Sequence, residues 1–354
     1  MKKDRIISAF AQLGKIMNYL GQNHATKDFE LGITPLELEN LNSLISRQVH
    51  HNGWFSEDMV RKAFCSLAAI LEKEKLEAWS NNYKFNEKPK TIAVIMAGNI
   101  PLVGFHDFLC VLLSGNRILC KLSSEDKLLL PALSKILIYL DSDFEDLILF
   151  SEGNISNFDA VIATGSTNSL DHFVQYFSKC PHLFRGSRTS LAVITGSESD
   201  EELGELGKDL FHYYGRGCRN VSHILLPENY SLNRIFEAIV GYGEVVNNKK
   251  YGNNYDYYKS IHLMNLEKFL DNNFVLVKES QELFSPLAMI YYSFYSNEND
   301  VKDFITKHEG NIQCIVGSNF IPFGNAQAPG LADYADTIDT MAWLESLKIY
   351  SGYK

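Results

Sequence analysis

The glycine-rich segment GRGCRN carries the strongest chemical signal in this sequence. It places Cys218 between Gly217 and Arg219, with Arg216 two residues before the thiol. Glycines let backbone amides approach a reacting centre, and neighbouring guanidinium groups favour the thiolate. Since a free thiol with a pKa of roughly 8.5 is only slightly ionised at neutral pH, these surroundings suit a cysteine nucleophile. The alternative interpretation is a structural cysteine that closes a turn.

Two strand-to-helix turns have donors that such a nucleophile needs. In AVIMAGNIPLVG an apolar strand leads into Asn99 and then an apolar helix, so an amide and helix N-terminal N–H groups can stabilise an oxyanion. Taken alone, this turn is more typical of an ordinary strand-to-helix connection capped by Asn. In ATGSTNSL, Gly165, Ser166 and Thr167 occupy a turn of the kind that binds diphosphates. It lacks the full G-x-G-x-x-G pattern, so the dinucleotide signal is weak.

The elements that position these turns follow from hydrophobic periodicity. Through residue 80 the pattern is helical: Ile6, Phe10, Leu13 and Met17 recur at steps of three and four, and Ser56 is a predicted N-cap. The polar residues 81–90 form a connector. We also expect a helix over 200–214, and a helix end with its loop over 241–258.

From residue 91 short, continuous apolar runs alternate with helical segments, as in a parallel sheet covered on both faces. This pattern predicts doubly wound α/β folding. We expect a helical prelude and a cofactor-binding α/β domain over 1–184, and a catalytic α/β domain with Cys218 over 185–354. The last ~25 residues are allowed to pack back on the first domain.

Composition excludes several classes of function. The 354 residues include 33 basic and 43 acidic side chains, a net charge of −10, which argues against nucleic acid as a partner. The six cysteines show neither the density of a disulfide scaffold nor the close pairs of a zinc site, so we expect no metal and a cytoplasmic location. No run reaches the roughly 18 apolar residues that a membrane span needs.

Six motifs, in one order, give the chain a family resemblance. The motifs are AGNIP, LCKLSSED, ATGSTNS, GRGCRN, QELFSP and IPFGNAQAPG. With them the chain resembles the aldehyde dehydrogenase superfamily and, within it, the acyl-CoA reductases related to the fatty-acid reductase of bacterial bioluminescence. The similarity covers roughly residues 90–330.

The resemblance implies an aldehyde-dehydrogenase-like fold and a role for each matched residue. Cys218 would accept the acyl group, and Asn99 with the Cys218 amide would form the oxyanion hole. The remaining residues would bind the cofactor: Lys121 the adenosine ribose, Gly165, Ser166 and Thr167 the diphosphate, and Glu282 the nicotinamide ribose, with Phe284 packing nearby. Without that context, Lys121 and Glu282 are more typical of solvated surface charges.

Two departures from the superfamily pattern indicate reductive chemistry. Where dehydrogenases carry a glutamate that activates water, this chain has Phe184, Arg185 and Gly186 and no carboxylate, so an acyl-enzyme should persist until hydride reduces it. Ser124 stands where NAD-preferring relatives often have a glutamate. We therefore expect NADPH rather than NADH, although Glu125 and Asp126 follow directly.

The sequence thus predicts an NADPH-dependent reductase of acyl-CoA or of an acyl-carrier thioester, with NADH also allowed. Two alternatives stay open: an oxidising NAD(P)-dependent aldehyde dehydrogenase, and a non-catalytic member that binds a nucleotide or a protein. The short connector replaces the superfamily's extended arm, so a homo-oligomer or a partner enzyme is left open. His212 and His223, close to Cys218 in sequence, are expected to be ordinary helix or strand residues.

Overall fold

A computed structural model describes residues 1–23 and 31–347, with only the backbone at Thr167. The chain divides into two units, one formed by Met1–Gly186 with Gly330–Lys354 and the other by Ser187–Pro329. The cofactor-binding and catalytic roles expected of these units remain predictions.

Four helices open the first unit, and their boundaries follow local signals: α1 (Lys3–Gly21), α2 (Pro35–His51), α3 (Glu57–Ile70) and α4 (Lys73–Ser80). Thr34 and Glu37 form a capping box at the start of α2. Ser56 accepts a hydrogen bond from the Met59 amide, which confirms it as the N-cap of α3. The apolar stripe of α1 is buried, and Phe10 packs edge-on against Phe105. The predicted helical prelude is confirmed.

A parallel five-stranded sheet forms the centre of the first unit, in the order β3-β2-β1-β4-β5. Its central strands are buried along their length because helices cover both faces, as the continuous apolar runs predict. The strands are β1 (Thr91–Ile95), β2 (Arg117–Lys121), β3 (Ile148–Phe150), β4 (Ala160–Thr164) and β5 (His182–Arg185). The associated helices are α5 (Phe105–Leu113), α6 (Leu129–Leu140) and α7 (Thr167–Phe177).

The second unit has a six-stranded sheet in the order β11-β6-β7-β10-β9-β8, parallel except for the β8–β9 pair. Its strands are β6 (Thr189–Val193), β7 (Val221–Pro227), β8 (Leu270–Asp271), β9 (Leu276–Glu279), β10 (Met289–Tyr295) and β11 (Ile312–Gly317). Its helices are α8 (Asp200–Phe211), α9 (Leu232–Ile239), α10 (Lys249–Met264) and α11 (Glu298–His308). The predicted α/β class, with two doubly wound sheets, is confirmed.

Two sequence predictions in the second unit are wrong. The helix expected over 200–214 ends at Phe211, because Tyr213 and Tyr214 adopt left-handed backbone angles, with φ of 51° and 57°. The segment expected to be a helix end and loop forms most of α10. Asn248 caps that helix, and Tyr251 and Tyr255 bury its inner face, so aromatic residues replace the aliphatic stripe that would have revealed it.

The C-terminal segment packs within the first unit through α12 (Thr340–Ser346) and the loop before it. Trp79 Nε1 donates to the Tyr334 hydroxyl at 2.9 Å. The Tyr83 hydroxyl donates to Asp339 Oδ2 at 2.7 Å. These bonds fix the segment against the helical prelude. Every helix in the described part of the chain lacks the length and apolar character needed to cross a membrane.

Candidate active site

The predicted nucleophile lies in the turn between α8 and β7. Cys218 is a partly buried cysteine outside any disulfide. Its carbonyl accepts a hydrogen bond from Ser190 Oγ at 3.1 Å. The Asn220 amide N–H donates to the Gly217 carbonyl at 3.0 Å, which closes a turn with Cys218 and Arg219 as its central residues. The thiol is therefore presented on a short, hydrogen-bonded turn.

Asn220 makes the densest set of side-chain contacts in this turn, and sequence reasoning missed it. Its Oδ1 accepts from the Gly217 amide at 2.7 Å. Its Nδ2 donates to carbonyls at the end of α8, those of Asp209 at 3.0 Å and His212 at 2.9 Å. Asn is a favoured residue at turns and helix ends, so its presence inside GRGCRN was the available signal.

A second loop is tied to the nucleophile turn. Arg219 Nη1 donates to the Ala326 carbonyl at 3.1 Å. The buried carboxylate of Asp209 accepts from the Gly324 amide at 2.7 Å and the Ala326 amide at 2.9 Å. Burial raises the pKa of Asp209 to about 6. The IPFGNAQAPG segment is therefore hydrogen-bonded both to the nucleophile turn, through Arg219, and to α8, through Asp209.

A cavity of about 210 Å³ opens beside the nucleophile turn, within the second unit. Residues 214–217 form one wall and Phe284 contributes to another. Thr189, Val221 and Met289, the first residues of β6, β7 and β10, also line it. The cavity therefore lies at the amino ends of these parallel strands, the same edge at which the turn lies.

The loop that carries Glu282 and Phe284 is anchored to β7. Ser222 Oγ donates to the Leu283 carbonyl at 2.7 Å, and His223 Nδ1 donates to the Glu282 carbonyl at 2.8 Å. Burial lowers the pKa of His223 to about 4, so its imidazole is neutral. Both Glu282 and Phe284 are exposed. His223 is thus a structural strand residue, and it holds the two predicted cofactor residues close to the strand that follows Cys218.

The remaining predicted site residues lie in the first unit, at the carboxyl edge of its sheet. Asn99 follows β1, Lys121 ends β2, and Gly165 and Ser166 follow β4. Because Ile95 pairs with both Lys121 and Ala163, the three strand ends are neighbours. This is where the strand order reverses, the usual position of ligands in open α/β sheets.

The contacts at this edge are specific. Lys121 Nζ donates to the Gly153 carbonyl at 2.6 Å, and Ser124 is exposed. Ser166 Oγ caps α7 by accepting from the Ser169 amide at 3.3 Å. The Thr167 side chain lies outside the described part of the structure.

The Asn99 turn is held tightly from below. A Cβ at Gly98 would lie 2.6 Å from Ser123 Oγ, so a larger residue there would have to displace Ser123. Leu102 adopts a left-handed φ of 58°, and its amide donates to Asp126 Oδ2 at 2.7 Å. Asp126, which sequence reasoning placed near the cofactor, is buried and instead fixes this strained turn.

Asp126 makes a testable prediction about pH. Burial raises its pKa from 3.8 to about 6, so the charged form is disfavoured in the folded state and stability is lost as pH rises through about 6. Asp126→Asn keeps an acceptor for the Leu102 amide without the charge. We expect the difference in free energy of unfolding, variant minus wild type, to rise by about 1 kcal/mol from pH 5 to pH 7.5. Urea unfolding at both pH values measures this, with Glu125→Gln as the control; a difference that stays constant with pH would contradict it.

Arg185 lies in the segment Phe184–Gly186, where the sequence resemblance places the water-activating glutamate of dehydrogenases. Its Nη1 lies 2.5 Å from Asp107 Oδ2, and its Nη2 donates to Thr340 Oγ1 at 2.6 Å. The segment itself has no carboxylate, but α5 brings Asp107 into contact with Arg185. That carboxylate is buried and ion-paired, an arrangement that favours a structural role.

The described residues contain no group of three or more His, Cys, Asp or Glu side chains that could hold a metal ion.

Comparison with known proteins identifies the family. The model of the acyl-CoA reductase (LuxC) family matches residues 45–238, which include the Asn99 turn and Cys218. The chain belongs to the LuxC acyl-CoA reductase family. The match confirms the resemblance found in the sequence motifs. No curated protein matches this chain by sequence.

Solved structures show that this LuxC family member has the aldehyde dehydrogenase fold. An NAD⁺ complex of an aldehyde dehydrogenase from Bacillus cereus is 12% identical, with a TM-score of 0.62, over 89% of this chain and 72% of that one. The indole-3-acetaldehyde dehydrogenase of P. syringae, in complex with NAD⁺, is 11% identical, with a TM-score of 0.61 and the same coverage. Aldehyde dehydrogenase 21 from Physcomitrella patens is 12% identical, with a TM-score of 0.60, over 90% and 74%.

Proposed function

We propose that this LuxC family member reduces a fatty acyl thioester to the aldehyde, with Cys218 as the nucleophile and NADPH as the reductant. The observation that carries the proposal is the hydrogen-bonded Cys218 turn inside the segment that matches the acyl-CoA reductase family. The free cysteines suit a reducing compartment, and we place the enzyme in the cytoplasm.

The first unit has features that fit a nicotinamide dinucleotide. Three strand ends meet at the point where strand order reverses, a capped helix begins after one of them, and Lys121 supplies a cation. Lys121, Ser124 and residues 165–167 would hold the adenosine and diphosphate portions, and Glu282 with Phe284 the nicotinamide ribose. When bound, the reduced dinucleotide supplies a hydride.

The chain's own residues perform the covalent chemistry. The Cys218 thiolate attacks the thioester carbonyl, the carbon–sulfur bond to CoA breaks, and CoA leaves as a thiol after taking up a proton. Once the acyl group on Cys218 is reduced, the resulting thiohemiacetal would lose its hydroxyl proton and break its carbon–sulfur bond, which would release aldehyde and regenerate the thiolate. Asn99 and the Cys218 amide are the proposed donors to the oxyanion.

Turnover assays test the proposal. The protein is incubated with acyl-CoAs of graded chain length and either NADPH or NADH, while absorbance at the nicotinamide band is followed. A decrease in absorbance with aldehyde formation, and the mass of one acyl group on Cys218, are expected. No absorbance change for every chain length and both cofactors would refute the reductase.

The oxidising alternative is tested in the reverse direction. Solved structures similar to this chain are aldehyde dehydrogenases. Oxidation of an aldehyde to a carboxylate requires a base that activates water. Arg185 stands in the corresponding region and pairs with Asp107. We therefore expect aldehyde and NADP⁺ to give acyl-CoA when CoA is added, and no carboxylate without CoA; carboxylate formation would favour the alternative.

Cofactor preference gives a further prediction. Asp126 points to the Leu102 amide and is buried, so Glu125 is the one exposed carboxylate of the Glu125–Asp126 pair beside Ser124. Ser124→Glu adds a negative charge where the 2′-phosphate is proposed to bind. We expect kcat/KM for NADPH to fall about tenfold or more relative to NADH. Ser124→Ala is the control, and an unchanged ratio in Ser124→Glu would place the phosphate elsewhere.

A further inference from the structure

We propose that Asn220 is the positioning residue of the nucleophile turn, an inference that rests on the proposed role of Cys218. Asn220 forms hydrogen bonds with both the N–H and the carbonyl of Gly217. Its Oδ1 accepts from the Gly217 N–H, and its own backbone N–H donates to the Gly217 carbonyl. Cys218, the next residue, therefore has its backbone direction set by Asn220.

The same side chain ties the turn to α8. Its Nδ2 reaches the carbonyls of Asp209 and His212, where the helix ends. The chain then passes through Tyr213 and Tyr214 in left-handed conformations, which non-glycine residues adopt at a cost. A helix end of this kind releases carbonyls that need donors, and Asn220 supplies them from the nucleophile turn. The position of the thiol is thus coupled to the end of α8.

The remaining contacts fix the turn to the sheet. Asn220 is buried, and its carbonyl accepts from the Ser190 amide at 3.0 Å and from Thr189 Oγ1 at 3.1 Å. A Cβ at Gly217 would lie 3.0 Å from Asn220 Oδ1, so Gly217 fits closely around this side chain. Helix, sheet and turn are thus joined at Asn220, so the backbone that carries the Cys218 thiol is fixed, and a fixed nucleophile loses less entropy when it reaches the attack geometry.

Two substitutions separate positioning from general stability. Asn220→Asp keeps the acceptor for the Gly217 amide but replaces the donor with an oxygen that faces the α8 carbonyls. Asn220→Ala removes both. On stability alone, Asp should be no better than Ala, because its carboxylate meets those carbonyls. For acylation the order reverses, because Asp still orients Gly217.

The readouts are the rate of acyl-enzyme formation by intact-protein mass spectrometry, kcat and KM for acyl-CoA, and thermal unfolding. We expect acylation to fall at least 100-fold in Asn220→Ala and less in Asn220→Asp, with KM within about threefold of wild type. Asn254→Ala is the matched control, since Asn254 Nδ2 donates to the Lys250 carbonyl in α10, and it should acylate normally. Acylation that follows the order of thermal stability, or stays at the wild-type rate in either variant, would overturn the inference.

A substrate-independent arm keeps this inference separate from the proposed function. If wild type takes up no acyl group, the proposed function fails, and the role of Asn220 is then read from the rate of Cys218 alkylation by iodoacetamide, resolved by peptide. Cys180 is the internal reference. We expect the alkylation rate of Cys218, and not that of Cys180, to fall at least tenfold in Asn220→Ala. Equal Cys218 rates in wild type and both variants would refute the positioning role of Asn220.

Discussion

Cys218→Ser is expected to abolish reduction of acyl-CoA, with turnover lower by roughly four orders of magnitude or more. A serine hydroxyl is not ionised at neutral pH and has no base within this turn to activate it, whereas a thiol reaches its thiolate readily. Serine differs from cysteine by one atom and keeps the backbone contacts of the turn, including the Ser190 Oγ bond to the carbonyl of residue 218, so the fold should persist. Nicotinamide absorbance measures the loss of reduction, and intact mass after exposure to acyl-CoA measures the loss of acyl-enzyme formation.

Cys180→Ser is the matched control for that variant. Cys180 is also partly buried, and its Sγ donates to the Phe177 carbonyl at 3.1 Å, a bond that a serine hydroxyl can replace. We expect it to reduce and to take up acyl groups like wild type. The comparison also tests the non-catalytic alternative, in which Cys218→Ser would change neither nucleotide binding nor any turnover. Reduction at an unchanged rate in Cys218→Ser would refute the mechanism.

Local signals in the sequence were enough to predict most of the fold. The stripe that includes Phe10 marks α1, Ser56 caps α3, and continuous apolar runs mark β1 and β4, because burial on both faces leaves no polar alternation. The two errors, at α10 and at the end of α8, occur where hydrophobic periodicity does not report the structure that forms. Tyr251 and Tyr255 bury α10 in a segment that is polar by composition, and Tyr213 ends α8 through a backbone conformation that periodicity does not report.

The candidate site shows the same division between what short motifs reveal and what the fold adds. The motifs pointed to Cys218 and Asn99, since each stands in a turn whose chemistry is visible over a few residues. The supporting roles of Asp126 and Asp209 were missed. Asp126 accepts a hydrogen bond from the Leu102 amide in the Asn99 turn, and Asp209 accepts one from the Gly324 amide in the IPFGNAQAPG segment. Such contacts depend on tertiary structure and leave no local pattern.

Asp107 and Arg185 give the clearest case, because 78 residues separate the partners of a buried ion pair. Asp107 is 5% exposed and Arg185 3% exposed. In isolation, Asp107 is one polar residue near the start of an apolar helix, and Arg185 is a charge at the end of a short strand. Together they fix α5 to β5, and Thr340 adds α12 to the same contact.

Removing one partner of this pair should have the largest effect on stability of any substitution considered. Asp107→Ala leaves the Arg185 guanidinium buried without its counter-charge, and such losses cost about 3–5 kcal/mol. All three tryptophans, Trp54, Trp79 and Trp343, lie in the first unit. Urea unfolding followed by tryptophan fluorescence therefore reports on the unit that contains the pair. Asp58→Ala, which breaks the exposed pair with Lys62, is the control and should cost less than about 1 kcal/mol.

The double variant Asp107→Leu with Arg185→Met tests why the single change is costly. Asp107 Oδ1 and Arg185 Nε are buried without hydrogen-bond partners among the described residues, so the pair is incompletely satisfied. Apolar side chains of similar volume remove both desolvated charges at once, and such replacements are often neutral or stabilising. We expect the double variant to recover most of the stability that Asp107→Ala loses. A double variant as unstable as the single one would show that the hydrogen bond to Thr340 and the shape of the guanidinium, rather than charge burial, hold α12 and β5 in place.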